Sequence, residues 1–419
     1  MKREYNIDNK GKSKAFVFSK SFKNHLSNLR RYHMKITKVE AITCVEEIKN
    51  PIRAPISIPY ASELEHLVFK EYRATLVKVE TDEGITGWGE CMVRFSPTAT
   101  RDIVNYIAPL LIGKDPFDNE RIWELMFGAM MNRGHYQGFY VEAMSGIDCA
   151  LWDIKGKALN VPVYKLLGAG GRPTFMAYAS SIRFRGLEVV KETAQKFKEA
   201  GFRSMKIKIG QVPENDMATV RAVREVVGDD IELTTDANCG YDSKTALRVG
   251  RVLEECNIRW FEEPVHPDDY DGYRLLSENL SVPIAGGEAH FLRWGAKDLI
   301  TRGKIDIIQP NICRCGGVTE ALKIHGLANA YNVKYLTHTG SCSAVCLAST
   351  LHIAAAFNDC YMFEHMQADW AKDQRNPLRW DLTPLPMDFD PATGMITMQD
   401  KPGFGLEIDE SVIEATRVK

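Results

Sequence analysis

Two rhythms of apolar and polar positions divide this chain. Ile36 to Cys44 alternates, and Tyr72 to Glu80 alternates more strictly. Thr81-Asp82-Glu83-Gly84 then supplies a turn before Ile85 to Glu90, so the last two runs predict a β-hairpin. Between the first strand and the hairpin, Pro51 to Glu65 is rich in Pro and Ser and is expected to be a mobile loop. Residues 99–168 switch to helical spacing: Ile103, Ile107 and Leu110-Leu111, then Val141 to Leu159 with its apolar positions on one face. Strands followed by helices predict an α+β unit.

After Gly168-Ala169-Gly170-Gly171 the second rhythm begins, one of strand and helix in alternation. Eight strands are expected: Phe175–Ser181, Ser204–Gly210, Ile231–Ala237, Ile258–Pro264, Pro283–Ala289, Ile305–Asn311, Lys334–Gly340 and Tyr361–Gln367. Amphipathic segments such as Leu187 to Ala200 and Met217 to Val227 lie between them, closed by Gly201 and Gly228. Beyond Asp369 the periodicity fails, and the Pro- and Gly-containing tail is expected to pack back on the first unit. The organisation read this way is a basic extension over 1–33, an α+β capping domain over 34–168, a barrel over 169–372 and a returning segment over 373–419.

Each later strand ends on a polar group: Lys206-Ile207-Lys208, Asp236, Glu262, Glu288, Asn311, His338 and Glu364. Their spacing of roughly 23 to 28 residues is what one strand, one helix and two loops need in a (β/α) barrel, whose strand ends converge at one mouth. Three carboxylates aimed at one point repel each other unless a cation sits among them. An all-oxygen set suits Mg²⁺, with Mn²⁺ as the alternative. Lys206 and Lys208 are two apart on a strand, so both point inward. Two close cations lower each other's pKa, which would make a lysine usable as a base. His338 lies on the same ladder across the ring. Asn238 is placed to bond a substrate hydroxyl, and Glu364 a substrate carboxylate or enolate oxygen. His266, His290 and His365 lie just past strand ends as further loop contacts.

Composition narrows the partners. With 45% hydrophobic and 26% charged residues and a net charge of −2, the chain gives no reason to expect nucleic acid or a membrane. No apolar run reaches the roughly 18 residues of a membrane span. Ten cysteines are scattered without a CxxC pair, which fits reduced thiols in a cytoplasmic enzyme; Cys342 and Cys346 are expected on one helix face. The first 33 residues carry nine Lys or Arg against Glu4 and Asp8 and lack a secretory apolar core. No GxxxxGK[ST] or HExxH motif is present.

Met205-Lys-Ile-Lys208, Asp236-Ala-Asn238, Trp260-Phe-Glu-Glu-Pro264, Gly286-Gly-Glu288, Thr337-His338 and Phe363-Glu364, with Met144 to Lys157 ahead of them, resemble the mandelate racemase subgroup of the enolase superfamily. The resemblance spans roughly residues 34–415. It implies a (β/α)7β TIM-like barrel under an α+β capping domain, with Mg²⁺ on Asp236, Glu262 and Glu288. It also implies removal of the proton α to a carboxylate to give an enediolate. Lys208 would be the base on one face, His338 the acid or base on the other, and Lys206 the group that holds the carboxylate. Such barrels tend to be dimers or octamers, so a homo-oligomer is expected.

One departure stands out. Relatives that use this histidine pair it with an aspartate where this chain has Asn311. The amide oxygen can accept a bond from the ring N–H but supplies no charge, which favours His338 as a proton donor. That tilts the expected reaction toward a sugar-acid dehydratase, in which the C3 hydroxyl leaves and a 2-keto-3-deoxy acid remains. A racemase or epimerase, a cycloisomerase of a sugar lactone or anhydro sugar acid, and a non-catalytic metal-binding homologue are the alternatives. The loops Pro51–Glu65 and Met92–Thr98 are expected to set substrate choice.

Overall fold

The computed structural model describes residues 34–53, 68–92, 96–168, 173–366 and 375–418. The basic extension, most of the Pro51–Glu65 loop, part of the Met92–Thr98 loop, residues 169–172 and Gln367 lie outside the described residues.

The cap begins with a three-stranded antiparallel sheet, β1 (Ile36–Arg53), β2 (Val68–Thr81) and β3 (Thr86–Cys91), in that order. The first strand runs past the expected loop start at Pro51. The ladder shifts register between Glu47 and Ile52, then resumes with Ile52 opposite Phe69, and such an irregularity accommodates a residue that cannot donate. Helix Phe139–Leu159 lies directly on β3. A Cβ at Gly87 would fall 2.1 Å from the Ala150 carbonyl oxygen, and one at Gly89 2.0 Å from that of Gly146. Only glycine permits this approach, and it is why the helix is buried on nearly every side.

The second half is the barrel. Its parallel strands are β4 (Thr174–Ile182), β5 (Ser204–Lys208), β6 (Glu232–Asp236), β7 (Ile258–Glu262), β8 (Ile284–Gly286), β9 (Ile307–Ile308), β10 (Lys334–Tyr335) and β11 (Met362–Met366). Each pairs with the next from β4 to β10, and β11 returns to pair with β4. The β10–β11 seam is bridged by Thr339, whose Oγ1 and N–H donate to the Glu364 carbonyl (3.2 Å) and carboxylate (2.9 Å). Strands β8 to β10 are shorter than the apolar runs suggest. Glu288, Asn311 and His338 therefore sit two or three residues beyond the ends of these strands, in segments that turn their side chains into the mouth.

The tail departs from its expected form. It contains a hairpin, β12 (Met387–Asp390) and β13 (Met395–Met398), and β13 adds antiparallel to β4 of the barrel. Beyond it, Gly403 bridges to Pro162, Val418 N–H donates to the Thr43 carbonyl (2.9 Å), and helix Glu410–Thr416 packs near β1. Cys342 precedes helix Ala344–Ala356 rather than sharing its face with Cys346, because Ser343 caps that helix. All ten cysteines are free. No helix among the described residues is long and apolar enough to cross a membrane.

Buried polar contacts tie the cap to the barrel mouth. Glu90 on β3 accepts from the N–H groups of Ser343 (3.1 Å) and Cys346 (3.0 Å), at the positive end of helix Ala344–Ala356. Asp148 accepts from Thr319 N–H (2.9 Å) and Oγ1 (2.6 Å). Burial lifts the Asp148 carboxyl from 3.8 to about 7 against those two bonds. A carboxyl whose pKa rises on folding stabilises the fold while protonated. Its contribution is full below the unfolded value and is lost as pH rises through the folded one. In Asp148→Asn this pH dependence should vanish. Between about pH 4 and about pH 7 the stability difference, read by urea unfolding, should move in the variant's favour by on the order of 4 kcal/mol. Equal pH slopes for the two proteins would contradict the assignment.

Candidate active site

The strand-end positions do converge. Carboxylate oxygens of Asp236, Glu262 and Glu288 lie within 4.8 Å of one another, and all three side chains are buried. Lys206 on β5 is fully buried beneath them. Its Nζ lies 2.8 Å from Glu364 Oε1, 3.1 Å from Glu262 Oε1 and 3.7 Å from Asp236 Oδ2. Burial alone would lower this ammonium's pKa, but Glu262 and Glu364 outweigh it and hold it well above the usual lysine value. The expectation that the two lysines depress each other therefore fails for Lys206. Its neighbours favour the charged ammonium.

Lys208 stands one pleat higher, at the end of β5, and is partly exposed. Its Nζ contacts Asp236 Oδ2 directly and Asn238 Oδ1 at 2.9 Å. Asn238 adopts a left-handed conformation at φ 41° and donates its own N–H to Asp236 Oδ1. The turn after β6 is thus folded back onto the lysine. His338 lies on the opposite arc of the ring, with Nε2 2.8 Å from Glu288 Oε2 and 4.0 Å from Glu364 Oε2. The lysine and histidine flank the carboxylates from two sides.

Glu364 is occupied on both oxygens. Ser180 Oγ and Lys206 meet Oε1, and the N–H groups of Thr339 and Gly340 meet Oε2. Burial would raise its carboxyl, yet the Lys206 ammonium holds it well below the usual range. As an anion it accepts hydrogen bonds. In this arrangement it anchors Lys206.

The Asn311 amide stands the other way round from expectation. Its oxygen accepts from Cys313 N–H at 2.9 Å. Its Nδ2 faces His338 Nδ1 at 3.2 Å and the carbonyls of His338 and Thr339 at 3.2 and 3.3 Å. The loop carrying His338 is held from below by Arg379, a buried residue of the returning segment that donates to the Gly340 and Cys342 carbonyls.

Several partners escaped the sequence reading. Trp260 Nε1 and Gln309 Nε2 both donate to Glu262 Oε2, at 3.2 and 3.1 Å. Trp260 lies two residues before Glu262 and Gln309 two before Asn311, so strand alternation could have found both. Arg314 spans from Glu142 of the cap (2.9 Å) to the Glu288 carbonyl (3.1 Å), a contact no local pattern foretells. Of the further histidines, His365 faces outward, packed by Phe202 and Phe389. His290 bonds the Pro267 carbonyl and His266 accepts from Asp268 N–H, so these two structure their own loops.

The donor set fits a hard divalent cation. Every candidate ligand atom is a carboxylate oxygen. Burial raises Glu262 to about 7, with Lys206 opposing and Asp236 adding to the rise. That cost is what a bound cation would remove.

Residues 44–168 match the N-terminal domain of the mandelate racemase/muconate lactonizing enzyme family, and residues 188–412 match the enolase C-terminal domain-like family. The chain belongs to the enolase superfamily, in its mandelate racemase subgroup. It is 33% identical to the D-galactarolactone cycloisomerase of Agrobacterium fabrum, over 92% of this chain and 99% of that one. It is also 33% identical to the arabinonate dehydratase of Saccharolobus solfataricus, over 82% and 90%. The crystal structure of the 3,6-anhydro-D-galactonate cycloisomerase from Zobellia galactanivorans superposes with a TM-score of 0.81 at 32% identity, covering 92% of this chain and all of that one.

Removing Lys206 leaves buried carboxylates without their cation. Lys206→Met should lose about 3–5 kcal/mol of stability by urea unfolding in the absence of divalent metal. Added Mg²⁺ should recover part of that loss. A variant as stable as the parent would remove Lys206 from the charge balance.

Proposed function

We propose that this enzyme is a Mg²⁺-dependent sugar-acid dehydratase. The observation that carries the reading is the placement of Lys208 and His338 on opposite sides of the carboxylate triad, with a fixed ammonium beneath it. The names of the relatives support a hydroxylated acid as substrate.

Lys206 holds the substrate carboxylate in this reading, and Asp236, Glu262 and Glu288 hold the ion. Bound Mg²⁺ supplies the positive charge that offsets the second negative charge developing on the carboxylate. Lys208, the partly exposed lysine, removes the C2 proton. Asn238 positions Lys208 and contacts a substrate hydroxyl. The C3 hydroxyl leaves on the His338 side, toward Nε2. Hydrogen from C2 and hydroxyl from C3 together make water, and the enol that remains becomes a 2-keto-3-deoxy acid. Glu364 fixes Lys206, and Asn311 orients His338.

A second reading is a cycloisomerase, in which the oxygen expelled from the β-carbon stays tethered as part of the opened ring. The two cycloisomerase relatives, matched over 92% of this chain, favour it. Both readings share proton removal by Lys208 and loss of a β-oxygen. Ten free cysteines fit a cytoplasmic enzyme.

The test is incubation of the Mg²⁺-loaded protein in D₂O with four- to six-carbon aldonic and aldaric acids and their lactones, followed by proton NMR. Loss of the C2 signal with a new C3 methylene from an open-chain acid establishes the dehydratase. The same change from a lactone or anhydro acid alone establishes the cycloisomerase. In Lys208→Ala the rate should fall by about 10²–10⁴. Exchange at C2 with inversion and no methylene would reject both.

A further inference from the structure

The neighbours of the two ring nitrogens of His338 differ in kind. Nδ1 faces Asn311 Nδ2 at 3.2 Å, whereas Nε2 faces Glu288 Oε2 at 2.8 Å and Glu364 Oε2 at 4.0 Å. The amide orientation follows from three backbone groups. Turned over, Asn311 would set its oxygen against the carbonyls of His338 and Thr339, and its NH₂ against the N–H of Cys313. All three contacts would become repulsive, so the NH₂ must face the ring.

We infer that Asn311 fixes His338 as an imidazole protonated on Nε2 and bare on Nδ1, a hydrogen-bond donor to the substrate that cannot act as a base there. An N–H at Nδ1 would point at the N–H of Asn311. For Nε2 to accept a proton from substrate, the ring would first have to carry its own proton at Nδ1. The geometry around Asn311 forbids that arrangement. A neutral histidine serving as an electrophile is an established mode in other barrels. In the proposed reaction this N–H is offered to the oxygen that leaves, and proton removal belongs to Lys208 alone. The consequence is a one-base enzyme, in which C2 cannot be inverted by exchange between two faces. Asn311 is a positioning residue in this scheme, and the inference rests on the proposed roles of Lys208 and His338.

The tautomer can be read without any substrate, which separates this inference from the choice of reaction. The full chain, labelled with ¹⁵N-histidine and loaded with Mg²⁺, is examined by long-range ¹H–¹⁵N correlation, with His338 assigned by its absence in His338→Gln. The expected spectrum has the Nδ1 resonance in the bare range and Nε2 in the protonated range. In Asn311→Asp, a carboxylate in place of the NH₂ should move the Nδ1 resonance into the protonated range. A wild-type Nδ1 already protonated would overturn the inference. So would an Asn311→Asp spectrum identical to the parent's. If that variant does not fold, the wild-type spectrum alone decides. If the tautomer is as expected but no β-elimination is found, the reaction assignment falls and the role of Asn311 stands.

Discussion

Three carboxylates cannot share a dry pocket at full charge, and this repulsion organises the barrel mouth. Asp236, Glu262 and Glu288 come within 4.8 Å of one another, and burial keeps water from screening them. The chain meets the cost in part with Lys206, one ammonium set among three carboxylates. Trp260 and Gln309 add neutral donors to Glu262. Glu262 remains raised to about 7, so the compensation is incomplete without a cation. A hard divalent cation among these oxygens would complete it.

The fold serves that balance by separating rigid from adjustable groups. Lys206, Asp236 and Glu262 belong to ladder strands β5, β6 and β7, whose pairing fixes them. Glu288, Asn311 and His338 lie just beyond shorter ladders, where loops aim them. Those loops are pinned from elsewhere, by Arg314 toward the cap and by Arg379 from the returning segment. The cap is locked to the mouth through Glu90 and Asp148, so residues distant in sequence hold the loops of the mouth in register. In the proposed reaction two unlike partners face each other across this ring, the partly exposed Lys208 beside Asp236 and the buried His338 beside Glu288.

Much of this was legible because alternation and spacing are local. The eight strands, the inward Lys206–Lys208 pair and the ladder from Asp236 to Glu364 follow from period-2 runs separated by helices. The ends of β8, β9 and β10 were not legible, since apolar residues continue past the last paired residue. The tail hairpin was missed because its alternation is short and interrupted by Pro and Gly. The state of Lys206 depends on carboxylates 30 to 158 residues away in sequence, and the orientation of Asn311 on the nearby Cys313 N–H together with carbonyls 27 and 28 residues away. Two lysines two apart on one strand lead to the expectation of mutual depression of their pKa values. Folding surrounds Lys206 with carboxylates and reverses the sign.

The most direct measurement is isothermal titration of Mg²⁺ into the metal-free chain near pH 6, in two buffers of different ionisation enthalpy. With Glu262 raised to about 7, the ion must displace its proton. The account predicts one ion bound per chain with close to one proton released, and loss of that proton release in Glu262→Gln. Binding without proton release, or binding unchanged in Glu262→Gln, would contradict a metal centre built on these three carboxylates.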